Sequence, residues 1–104
     1  MSSSNAYLDF VLGQLSELGG VSYRPMMGEY VMYYRDKVIG GIYDDRFLIK
    51  PTKSVVDMMP DAARETPYPG AKEMILADID DRALISNVIK AMYDELPAAK
   101  KKKQ

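Results

Sequence analysis

The residues of this chain able to do chemistry are its carboxylates, tyrosines and cations, and their spacing decides how far that chemistry goes. Asp36 and the pair Asp44-Asp45 offer oxygen ligands to a hard cation, but the calcium-loop pattern with its closing glutamate is missing. Asp78, Asp80 and Asp81 alternate in the same way just before an apolar stripe of helical period, where negative charge favours a helix start. Turn and capping chemistry accounts for these aspartates, so no metal and no cofactor is assigned. Histidine and cysteine are absent, which removes the commonest general base, the usual zinc ligands and every thiolate. Ser2 to Ser4, at an end expected to fray, and Ser54, at a helix cap, therefore have no histidine to activate them. Gly40-Gly41 lacks the spacing and following helix of a phosphate loop. The expectation is a non-enzyme without catalytic residues.

The eight tyrosines, interleaved with Arg24, Arg35, Arg46, Lys50 and Lys53, form a sharper pattern. Rings on an open sheet can stack bases while neighbouring cations hold phosphates. Tyrosines also pack half-buried with a wet hydroxyl, and that plainer role is the expected one. Charge supports it: Lys100 to Lys103 supply four of the 14 positive charges, leaving 10 against 15 acidic groups in Met1 to Ala99. An acidic body opposes nonspecific attraction to phosphates.

These residues must be positioned by one domain, expected over 1–97, with a disordered lysine-rich tail at 98–104. The 47% apolar and 28% charged composition is that of a globular chain. No apolar run reaches the ~20 residues of a membrane span, and no secretory signal opens the chain. A soluble, cytoplasmic protein is expected, with no membrane contact.

Leu8, Val11, Leu12, Leu15 and Leu18 predict an amphipathic helix of about four turns, capped by Ser3, Ser4 or Asn5 and ended by Gly19-Gly20. Strands follow at Val21 to Met27 and Glu29 to Arg35, with Gly28 at a bend and Met26 and Met27 filling core gaps. A turn at Asp36-Lys37 would set Tyr34 opposite Ile39, Met32 opposite Gly41 and Tyr30 opposite Tyr43. Val31, Tyr33, Val38 and Ile42 would take the other face, joined by Phe47 and Ile49 after a turn at Asp44-Asp45, with Leu48 on the first. Gly40-Gly41 implies a close neighbour, a helix or a ligand. A short helix capped at Thr52 or Ser54 runs to Met59, a loop spans Pro60 to Gly70, and Ala71 to Ala77 reads as a further strand. Leu84, Ile85, Val88, Ile89, Met92 and Leu96 stripe a last helix. The sum is an α+β fold with an antiparallel sheet of about four or five strands, a central meander and flanking helices.

Met27, Gly28, Glu29 and Tyr30, followed by Tyr33 or Tyr34, Lys37, Gly40-Gly41, Asp44-Asp45 and Lys50, resemble the N-terminal domain of the TfoX/Sxy family of bacterial competence regulators. The resemblance runs from Asn5 to Leu96. It implies an α+β domain tied to control of competence-gene transcription, here without the helical C-terminal domain of the larger regulators. Met27, Gly28, Tyr30, Lys37, Gly41, Asp44 and Lys50 enter as motif positions with a role in the fold, and Glu29 stands where relatives carry glycine. With no catalytic set to carry over, the resemblance implies action by binding a macromolecule, foremost a protein. The contact surface is expected on Arg24, Tyr30, Arg46, Lys50 and Tyr68, in a monomer or weak homodimer. Single-stranded nucleic-acid binding by the tyrosine sheet is the alternative, and a small-ligand-binding protein or an enzyme is the third reading.

Overall fold

Ser4 opens the first helix: its hydroxyl accepts from the Tyr7 amide at 3.1 Å. In the computed structural model, which describes residues 3–97, this helix, α1, spans Asn5–Gln14 and buries Leu8 and Val11. It is shorter than the leucine spacing predicts. Leu15 already leaves helical geometry, yet Leu15 and Leu18 stay buried in the turns beyond.

Four strands follow, β1 (Val21–Met26), β2 (Glu29–Tyr34), β3 (Lys37–Ile42) and β4 (Phe47–Ile49). Helix α2, Lys53–Met58, is capped by Thr52. After it come β5 (Arg64–Glu65), β6 (Met74–Leu76) and α3 (Arg82–Tyr93), the last opened by the Asp81 carboxylate on the Leu84 amide. The strands form one antiparallel sheet ordered β1-β2-β3-β4-β6-β5. The α+β class and the meander are as the sequence predicts. The sixth strand, β5, is two charged residues within the expected loop, and only its pairing with β6 makes it a strand.

The register of β2 on β3 differs from the expectation. The turn residues are Arg35-Asp36, with Tyr34 opposite Lys37 and Tyr33 opposite Val38; then Met32 faces Gly40 and Tyr30 faces Ile42. Ile39 is thus an extra residue, a bulge that reverses the alternation of β3. Ile39 and Ile42, three apart, consequently enter the same core. Phe47 and Ile49 do accompany Ile42, but on the face of Met32 and Tyr34, and Leu48 turns to the other face with Val31 and Gly41.

Leu8 and Val11 of α1, Val55 of α2, and Ile85, Val88, Ile89 and Met92 of α3 share one apolar cluster with Met32, Ile39, Phe47 and Ile75 of the sheet. All three helices therefore lie against one face, giving two layers about one core. The Cα radius of gyration, 13.0 Å, is that of a single domain of ~100 residues. Among the described residues no helix is long and apolar enough to cross a membrane. The lysine-rich tail expected at 98–104 lies outside the described residues.

Candidate binding surface

Pairing carries a row of residues across the face that the helices leave open: Arg24 faces Val31, Val31 faces Gly41, Gly41 faces Leu48, and Leu48 faces Leu76. Partners in an antiparallel ladder point the same way, so this row lies on the outer face. Tyr43, two residues past Gly41, lays its ring there. A Cβ on Gly41 would stand 2.7 Å from Tyr43 Cε2 and 2.6 Å from the Tyr30 carbonyl oxygen. A Cβ on Gly40 would run into the Leu48 carbonyl oxygen and stand 2.7 Å from Ile49 Cα. The close neighbours are thus strand backbone and a tyrosine ring, where the sequence predicts a helix or a ligand.

The segment 66–73, between β5 and β6, brings Tyr68 onto Tyr43, with ring centroids 6.3 Å apart and planes inclined at 64°. Tyr43 is half-buried, whereas Tyr68 is 57% exposed. A groove lies on either side of this pair. One, of about 620 Å³, is lined by Met26, Met27, Glu29, Asp44 and Arg46. The other, of about 470 Å³, is lined by Val38, Lys50, Pro51, Lys72 and Glu73.

Local chemistry fixes the first groove. Asp44 and Asp45 both adopt positive φ, 54° and 56°, and Tyr43 and Arg46 exchange backbone hydrogen bonds of 2.8 and 3.0 Å. This is the two-residue turn that suits the twist of a hairpin. The Glu29 carboxylate accepts from the Asp44 amide at 3.1 Å and from the Ser3 hydroxyl. Asp45 accepts from the Ser4 amide at 2.8 Å. The chain start expected to fray is therefore clasped to two turns at Ser3 and Ser4. The Arg46 guanidinium is held by Glu65 and by the Tyr43 carbonyl. Asp44 is the exception: among the described residues its carboxylate has no hydrogen-bond or ion-pair partner. Burial, then Tyr68 and the charge of Glu29, push the Tyr43 hydroxyl above the ordinary phenol range, so it stays protonated at neutral pH.

The residues expected to make contact are divided. Arg46 and Tyr68 line the first groove, and Lys50 and Tyr68 the second. Arg24 lies on the outer face at the sheet edge, exposed. Tyr30 is not with them. It belongs to the helix-covered side, where its hydroxyl donates to Asn5 Oδ1 at 2.7 Å and its ring meets Tyr23 edge-on.

Several motif positions hold the fold. Met27 and Gly28, with φ of 53° and 88°, make the tight turn between β1 and β2. Lys37 Nζ donates to the Tyr93 carbonyl at 3.0 Å and lies 4.2 Å from that ring's centroid, tying the second hairpin to the end of α3. Met26 and Met27 do not fill the core: they are 46% and 98% exposed, because the turn carries them past its edge. Tyr43 and Glu29 were not among the contact residues the sequence predicts. Gly41 two residues before Tyr43, ahead of the Asp44-Asp45 turn, is the signal for the first; nothing in the local pattern marks the second.

The chain is 31% identical over 105 residues to the uncharacterized 12.7 kDa protein in the trpE 5' region of Spirochaeta aurantia, an alignment covering 99% of this chain and 91% of that protein. It belongs to that protein's family. No protein-family profile matches the chain, and no solved structure matches it.

Proposed function

We propose that this family member is a non-catalytic binding module that offers the helix-free side of its sheet, around Tyr43 and Tyr68, to a protein partner. One observation carries the reading: helices cover one face, while the other bears an exposed tyrosine between two grooves. Exposed aromatic residues beside apolar concavities are the usual anchors of protein interfaces. The resemblance to the TfoX/Sxy N-terminal domain supports a role in competence or transcription control, with the partner a component of that control. Capture by immobilised protein tests it. Tyr68→Ala, or the double reversal Arg24→Glu and Lys50→Glu, abolishes retention of the partner; unchanged retention in both sinks the reading.

The second reading, single-stranded nucleic acid on the same face, is favoured by one specific feature. Lys50 and Lys72 line the groove beside Tyr43 and Tyr68, and neither has an acidic partner among the described residues. Binding of a short oligothymidylate that weakens steeply with salt supports it. No binding at low salt removes it.

A further inference from the structure

The first groove is not neutral. Among the described residues its one cation is Arg46, paired with Glu65, so the charge they leave facing solvent is that of Glu29 and Asp44. Among the described residues Glu29 is hydrogen-bonded to neutral donors alone, an amide and a hydroxyl. Asp44 has no partner among the described residues. The two tyrosine rings, inclined to each other at 64°, line the same groove. Ring faces carry partial negative charge and attract a cation, and carboxylates lining the same groove add to that attraction. The remaining lining, Met26 and Met27, is polarizable thioether suited to a methylene stem. An anion here would meet repulsion from both carboxylates.

We infer that the groove between the Met27-Gly28 turn and the Tyr43-Tyr68 pair takes a lysine or arginine side chain of a protein partner, its stem on the methionines and its charge between the tyrosines and Asp44. The volume, about 620 Å³, is in the range of a side-chain or small-ligand site. This inference rests on the binding-module reading and adds to it the chemistry of the docked residue. It also separates the two grooves: a basic side chain in the acidic one, and the lysines of the other left for an acidic or carbonyl-rich stretch of the same partner.

The test uses the full chain, ¹⁵N-labelled, titrated with four capped tripeptides whose central residue is arginine, lysine, norleucine or glutamate. Arginine and lysine peptides shift the amides of Met27, Asp44, Arg46 and Tyr68, and salt weakens the effect. Norleucine and glutamate peptides bind at least about fivefold more weakly, since a cation beside aromatic rings gains on the order of a kcal/mol. Asp44→Asn keeps the left-handed turn, which asparagine tolerates, and weakens the arginine peptide about threefold or more. If norleucine shifts the same amides as strongly, the site is merely apolar and the inference fails, while the partner-capture experiment still judges the face. It also fails if no tripeptide moves these signals, or if oligothymidylate moves them more strongly than arginine does.

Discussion

Glu29 and Gly41 decide more of the local structure than their size implies. Glu29 ties the Asp44 amide and the Ser3 hydroxyl together, so Glu29→Ala leaves two donors to find other partners. A loss of about 1–2 kcal/mol in denaturant stability is expected, with the α1 end loosened in hydrogen exchange. Gly41→Ala places a methyl against the Tyr30 carbonyl and the Tyr43 ring. Overpacking of that kind costs about 1–3 kcal/mol and should displace Tyr43, read as a change in its ring resonances. The motif glycine was legible as a place of close approach. What approaches it was not, because only the register of β2 on β3 brings that carbonyl and that ring to one point.

At the scale of elements, the starts of the helices followed sequence chemistry more closely than their ends, since α1 stops at Gln14, short of Gly19-Gly20. Thr52 and Asp81 cap α2 and α3 as their types and positions predict, and Asp81→Ala should cost about 1 kcal/mol. The bulge at Ile39 escaped the reading because strict alternation is the only periodic signal a strand gives, and one inserted residue inverts it. The strand β5 escaped because Arg64-Glu65 has no strand propensity and depends on a neighbour ten residues on. Glu95, just past α3, accepts from the Ser54 hydroxyl and amide, joining α2 to α3. Those bonds, the hydroxyl first, hold its carboxyl below the ordinary carboxylate range. A depressed folded-state pKa contributes stability above the unfolded value, lost as pH falls through the folded one. Glu95→Gln should therefore be less stable than the native chain near neutral pH, with the gap closing in acid. Solvent screening keeps the effect small at this exposed site, and thermal melts across pH measure it.

The whole molecule divides its labour by face. Helices and the inner side of the sheet enclose the core, and the outer side carries Tyr43, Tyr68 and both grooves. Exposed Tyr68 contributes little to that core, so Tyr68→Ala should change stability by no more than about 0.5 kcal/mol while removing partner capture. Arg46, Lys50 and Tyr68 could be picked from sequence as residues near the grooves, since cations and tyrosines near turns point to a surface. Tyr30 lies apart from them, because the alternation that puts Val31 on the outer face turns Tyr30 toward the helices. The most direct measurement is site-resolved photo-crosslinking, with a photoreactive phenylalanine in place of Tyr68 on the open face, or in place of Asn87 on the exposed side of α3. The partner should be trapped from position 68 and not from position 87; adducts formed from 87 alone would contradict a recognition surface on the sheet.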